Sequence, residues 1–126
     1  MIGISRLTKI YSAIEVDLLG QCNAEVIGSR SISGAGGLPE FTIGAHKSRG
    51  GRSIIALPAT DRHGKTSRIV SHFAPGTPVT VPRHAVDFVV TEFGIADLRG
   101  KTASARADPL LAIADPALQD AIDAAR

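Results

Sequence analysis

Apolar positions along this chain come in short runs broken by glycine, proline and charged residues, a pattern of strands mixed with helices. From Ile10 to Val16, Ile10, Ser12, Ile14 and Val16 fall on one side and Tyr11, Ala13 and Glu15 on the other. The β-branched content of that run favours a strand, which Leu18-Leu19-Gly20-Gln21 then turns. Asn23 to Ser29 reads as a short helix or a loop. Phe41 to Ser48 is a helix candidate, with Arg49-Gly50-Gly51 as its stop. Ser53 to Leu57 is a continuous apolar run ended by Pro58, the signature of a strand buried on both faces. Asp61-Arg62-His63-Gly64-Lys65 reads as a polar hairpin-type loop, with Ser67 to Phe73 as the returning, antiparallel strand.

Downstream, Pro75, Gly76 and Pro78 mark a turn. Val79 to Val81 is a brief strand, Val86 to Thr91 is a stronger one closed by Glu92-Phe93-Gly94, and Ile95 to Leu98 is a further short element. Thr102 to Ala114 is helical by composition, with Pro109 predicting a break or kink. Asp115-Pro116 supplies an N-cap and a first-turn proline for a last helix. These elements predict an α/β domain in which an open mixed sheet is flanked by helices.

Composition changes the picture only by exclusion. The 126 residues fit one domain. A hydrophobic share of 44% with 21% charged residues describes a globular chain, with no apolar run of membrane-spanning length and no signal-like start. One cysteine, Cys22, rules out an internal disulfide and is read as a packed thiol. The chain is read as cytoplasmic and without membrane contact. The four histidines, His46, His63, His72 and His84, show no helical ligand spacing, and no metal site is expected.

Charge is more informative. Between His46 and His72 the cations Lys47, Arg49, Arg52, Arg62, Lys65 and Arg68 face a single acid, Asp61, whereas acids dominate from Ala85 onwards. That basic segment is a candidate anion surface. With five aromatic residues, none interleaved with the basic ones, nucleic acid is not the expected partner. The other candidate is Ser33-Gly34-Ala35-Gly36-Gly37-Leu38-Pro39-Glu40, where three glycines in four residues let the backbone approach a bound group closely. A helix start from Leu38 to about Ala45 would add its N–H groups at the same spot, a cradle for phosphate or an oxyanion. A plain tight turn is the alternative reading of the same residues.

Five stretches in order carry a resemblance: Ser12 to Gln21, Ser33 to Gly37, Gly50 to Pro58, Ser67 to Val70, and Val89-Val90-Thr91-Glu92-Phe93-Gly94-Ile95-Ala96-Asp97-Leu98-Arg99-Gly100-Lys101-Thr102. Together they resemble the C-terminal domain of the acetyl-CoA hydrolase/transferase family, which includes acetate and 4-hydroxybutyrate CoA-transferases. The resemblance implies one half of a CoA-transferase-like fold. It also implies a chemistry that moves coenzyme A between carboxylic acids through a glutamyl-CoA thioester, with hydrolysis when water is the acceptor. Coenzyme A or acyl-CoA is then substrate, and no permanently bound cofactor is expected.

The family's nucleophilic glutamate lies in a His-Thr-Glu or His-Ser-Glu motif, and this chain contains neither. The resemblance therefore implies a 1–126 domain whose N-terminal catalytic half is absent, inactive alone, with that half or a second copy as partner. The family's CoA-binding positions map to Gly34, Ala35, Gly36 and Gly37, and a family lysine aligns with Arg62. Where the family has Gly-Gly-Gln-Val-Asp-Phe this chain has Gly36-Gly37-Leu38-Pro39-Glu40-Phe41, and where it has Ile-Ala-His-Pro this chain has Ile113-Ala114-Asp115-Pro116. Glu92 is read as a structural or rim residue, with direct catalysis as its minor alternative. The competing functional reading is a stand-alone CoA- or protein-binding module without turnover.

Overall fold

The computed structural model describes residues 8–27, 30–31 and 52–126. Within them the strands are β1 (Thr8–Ser12), β2 (Glu15–Asp17), β3 (Cys22–Asn23), β4 (Val26–Ile27), β5 (Arg30–Ser31), β6 (Arg52–Ala56), β7 (Ile69–Val70), β8 (Phe88–Thr91) and β9 (Gly94–Asp97). The helices are α1 (Ala107–Ala112) and α2 (Gln119–Ala124), with single 3-10 turns at Arg83–Ala85 and Ser104–Arg106. The larger sheet runs β1-β6-β8-β9, parallel across its first three strands and closed by the antiparallel β8–β9 hairpin. A smaller sheet runs β3-β2-β7, with β2–β3 antiparallel and β2–β7 parallel, and β4–β5 is a separate antiparallel pair. The mixed α/β architecture is the one the sequence predicts.

The run from Ile10 to Val16 is two strands, because the chain changes sheets within two residues. The Ala13 N–H bonds the Ala56 carbonyl of the larger sheet at 3.3 Å, and the Ile14 N–H bonds the Asn23 carbonyl of the smaller one at 2.8 Å. Asp17 then heads the turn. Its Oδ1 accepts the N–H groups of Leu19 and Gln21, both at 3.0 Å, and Gly20 takes the positive φ of +87° that closes it. In the ambiguous stretch from Asn23, the Asn23 Oδ1 accepts from the Glu25 and Val26 amides, so a side chain turns the backbone between β3 and β4.

The expected antiparallel pairing of Ser53–Leu57 with Ser67–Phe73 is not formed. β7 is two residues long and lies parallel to β2 in the other sheet, with only the Thr60–Ser67 bridge closing the loop between. Asp61 explains the difference. By accepting the Lys65 and Thr66 amides, its carboxylate closes the loop on itself, so the returning chain is free to leave the β6 edge.

The Val79–Val81 run is no strand either. Val81 exchanges backbone bonds with Cys22 as an isolated bridge before Pro82 ends the ladder. Pro109 causes no break, since it is the third residue of α1, within the first turn where a missing N–H costs nothing. Asp115 does not cap the last helix as expected: its Oδ1 accepts the Ala117 N–H at 2.9 Å in a separate turn, and α2 begins only at Gln119, with Leu118 as its N-cap and no side-chain cap bond. The helix candidate at 41–48 lies outside the described residues.

One core joins the two sheets to the C-terminal helices. Val16, Cys22, Ile55, Ile69, Val81, Val89, Leu98 and Leu110 are fully buried within it. Truncating Leu110 to alanine there would cost about 2–5 kcal/mol, the usual range for opening a cavity in a packed interior. The other face of the larger sheet differs from the expectation that β6 is buried on both sides. Register places Ile10, Ile54, Phe88, Val90 and Ile95 on it, with Ile54, Phe88 and Val90 half-buried and Ile10 and Ile95 each 67% exposed.

Candidate functional site

The parallel strands β6 and β8 end side by side, the Leu57 N–H bonding the Val90 carbonyl at 3.1 Å. In open α/β sheets ligands bind beyond the carboxyl ends of such strands. A cleft of about 600 Å³ lies there, lined by Pro58, Thr60, Asp61, Arg62, His63, Arg68 and Glu92.

Local sequence builds each wall. After β8, Thr91 fixes the hairpin: its hydroxyl donates to the Ile113 carbonyl at 2.6 Å and accepts the Phe93 N–H at 3.1 Å. Among the described residues only glycines have positive φ. The two-residue Glu92-Phe93 loop therefore turns without left-handed residues of its own, and Gly94, at φ +146°, takes up the strain. This sets Glu92 beside the loop leaving β6, where its Oε1 accepts the N–H of fully buried Ala59 at 2.7 Å.

The opposite loop is closed by Asp61, whose carboxyl is held below its usual range chiefly by the Lys65 backbone N–H. Gly64, at φ +72°, completes that turn, leaving Arg62 and His63 exposed at its tip. Arg68 is fixed at the loop's return. Its N–H bonds the Ala59 carbonyl at 2.7 Å, its carbonyl accepts the Val16 N–H at 2.9 Å, and its Nη1 reaches the Ile14 carbonyl at 3.3 Å.

The structure thus brings Arg62 and Glu92 into one cleft and adds Arg68, His63 and Thr60 to them. Gly34, Ala35, Gly36 and Gly37 lie outside the described residues, as do Lys47, Arg49 and His46 of the basic segment. Lys65 and His72 line a separate groove of about 440 Å³, between Ile69–His72 and the start of α2 with Leu118 and Ile122. Among the described residues no three metal-capable side chains gather. Cys22 is a packed thiol as expected, and burial pushes its pKa up to about 12. Sequence reasoning missed the position of Arg68, because Ser67-Arg68-Ile69 reads as strand interior. The one available signal was its place among the cations of an almost acid-free segment.

A mixed sheet with a guanidinium-bearing cleft at its carboxyl edge is an α/β architecture shared with solved structures. RipA from Yersinia pestis superposes with a TM-score of 0.84 at 38% identity, over 94% of this chain and 26% of that one. A 4-hydroxybutyrate CoA-transferase from Porphyromonas gingivalis gives a TM-score of 0.73 at 38% identity, over 94% and 25%. The family described as the acetyl-CoA hydrolase/transferase C-terminal domain matches residues 2–125, and the chain belongs to it.

Among sequence relatives, it is 46% identical to a 4-hydroxybutyrate coenzyme A transferase from Clostridium kluyveri, over 92% of this chain and 27% of that protein. It is 49% identical to a probable butyrate:acetyl-CoA coenzyme A-transferase from Syntrophomonas wolfei, over 93% and 27%. The chain therefore spans about a quarter of the length of these relatives. No helix among the described residues is long and apolar enough to cross a membrane.

Proposed function

We propose that this chain is the CoA-cradling part of a cytoplasmic enzyme that moves coenzyme A between small carboxylic acids, or to water. The observation that carries the reading is the cleft beyond β6 and β8, which holds Arg62 and Arg68 at a sheet edge where α/β folds bind ligands. Coenzyme A is polyanionic, and guanidinium groups fork onto phosphate and carboxylate oxygens alike. The glycine loop Gly34-Ala35-Gly36-Gly37 would add backbone donors for the same ligand.

Transfer through a glutamyl thioester needs a carboxylate free to attack. Each cleft carboxylate serves as a loop tie through one of its oxygens, Asp61 Oδ1 accepting the amides of Lys65 and Thr66 and Glu92 Oε1 that of Ala59, and neither stands in a His-Thr-Glu or His-Ser-Glu motif. The nucleophile is then supplied by a polypeptide segment carrying the His-Thr-Glu or His-Ser-Glu motif, packed against the exposed apolar sheet face of Ile10, Ile54 and Ile95. Exchange of labelled acetate into acetyl-CoA tests this. The chain alone is expected to be silent, and a polypeptide bearing the motif, taken from a relative, is expected to restore exchange. Turnover by the chain alone, abolished by Glu92→Gln, would instead make Glu92 the nucleophile.

The structural use of both carboxylates as loop ties also favours a second reading, binding without turnover. Light scattering and the same mixing assay separate the two. A stable monomer that binds coenzyme A and never gains exchange is the binding module.

A further inference from the structure

Arg68 is the unexplained charge of this cleft. A guanidinium carries five N–H donors, yet among the described residues the one hydrogen bond made by this side chain is the 3.3 Å contact from Nη1 to the Ile14 carbonyl. Its Nε is buried with no acceptor among the described residues, and no ion pair joins it to a described carboxylate, although Glu92 lines the same cleft. Removing a charged donor from water without a partner is costly, and such unsatisfied groups in native structures call for an explanation.

The backbone around it is tied on both sides. Ala59 accepts its N–H and Val16 donates to its carbonyl, so the loop after β6 and the edge of β2 fix the residue in place. Arg62, by contrast, is exposed at a loop tip. A cation held rigidly, partly stripped of water and short of acceptors is preorganised for a ligand oxyanion, whereas a tip arginine must be ordered on binding.

We infer that Arg68 is the fixed oxyanion anchor of the cleft, receiving a phosphate or carboxylate oxygen of the ligand on its unused donors, with Arg62 closing over it as the adaptable second cation. This deepens the coenzyme reading and rests on it for the identity of the ligand.

Four probes separate the sources by calorimetric or NMR titration: coenzyme A, pantetheine (which lacks phosphate), inorganic pyrophosphate and butyrate. They are applied to the wild type, Arg68→Gln and Arg68→Lys, with folding checked by circular dichroism. Loss of one charge-assisted fork predicts a roughly 10- to 100-fold weakening in Arg68→Gln. Arg68→Lys, which keeps the charge and loses the fork, is expected to fall between and carries the test if the glutamine variant fails to fold.

Weakening of coenzyme A and pyrophosphate with pantetheine unchanged assigns the anchor to phosphate. Weakening confined to butyrate assigns it to the carboxylic acid. A uniform loss across all four probes, or no loss, overturns the anchor and reduces Arg68 to a structural tie. Pyrophosphate binding that depends on Arg68, with no affinity for coenzyme A, would sustain the anchor and sink the coenzyme reading. Binding of coenzyme A indifferent to Arg68 would do the reverse, and failure of every probe on the wild type overturns both.

Discussion

Glu92 ties the β8–β9 hairpin to the loop that carries Arg62, and its removal has a calculable cost. The acceptor is a carboxylate, the donor is the amide of a fully buried residue, and the separation is 2.7 Å. Hydrogen bonds to charged groups contribute about 1.5–3 kcal/mol net, and a buried amide left without a partner loses a similar amount. Glu92 itself is solvent-exposed, so water reaches part of the gap in Glu92→Ala and the expected loss is about 2 kcal/mol. In a chain of this length that lowers Tm by roughly 5–10 °C. Glu92→Gln keeps an oxygen in the same place and should lose less than about 1 kcal/mol. Urea unfolding of the three proteins, at unchanged m-value, measures both differences. An alanine variant within about 0.5 kcal/mol of the wild type would refute the reasoning, as would a glutamine variant as unstable as the alanine one.

Gly20→Ala places a Cβ 2.9 Å from Leu98 Cδ1 and 3.0 Å from Arg106 Nη1, at a φ of +87°. Left-handed strain plus overpacking predicts a loss of about 2–5 kcal/mol by urea melt, and a neutral result would show that the turn can yield. Cys22, with a pKa raised to about 12, should resist a thiol reagent at pH 8 in the native state and react once per chain after unfolding. Asp97 is hydrogen-bonded by the Arg99 guanidinium, at 3.0 and 2.9 Å, which holds its carboxyl at about 2. A depressed folded-state pKa stabilises above the unfolded value of roughly 3.9. That contribution fades as pH falls through about 2, and it is small because the pair is exposed and screened by salt. An NMR titration should find the Asp97 midpoint near 2 and a higher one in Arg99→Gln; identical midpoints would refute the pairing.

Most of the architecture is legible in the residues because strand signals and turn signals are local. Val86 to Thr91, the Gly20 turn, the Asp61 loop and the Asp115 turn are all set by neighbours within a few positions. What the sequence hides is pairing at a distance. Nothing local tells Ile69–Val70 to lie beside β2 rather than β6, or splits Ile10–Val16 between two sheets, since both depend on which edge is free once the rest has folded. The site follows the same rule. Arg62 is visible as a loop-tip cation, and Glu92 as a strand-end acid. Arg68, placed by partners 9 and 52 positions away at Ala59 and Val16, becomes a cleft residue only in three dimensions. The glycine loop at 34–37 is the converse case, prominent in sequence and outside the described residues.

The most direct test of the account is a map of coenzyme A on the isotopically labelled chain by amide NMR shifts. The account predicts saturable perturbations at Thr60 to His63, Arg68 and Glu92, joined by the amides of Gly34 to Gly37, and weakening as salt rises. Perturbations confined to Ile69–His72 and Leu118–Ala125, the walls of the other groove, or none at all, would contradict it.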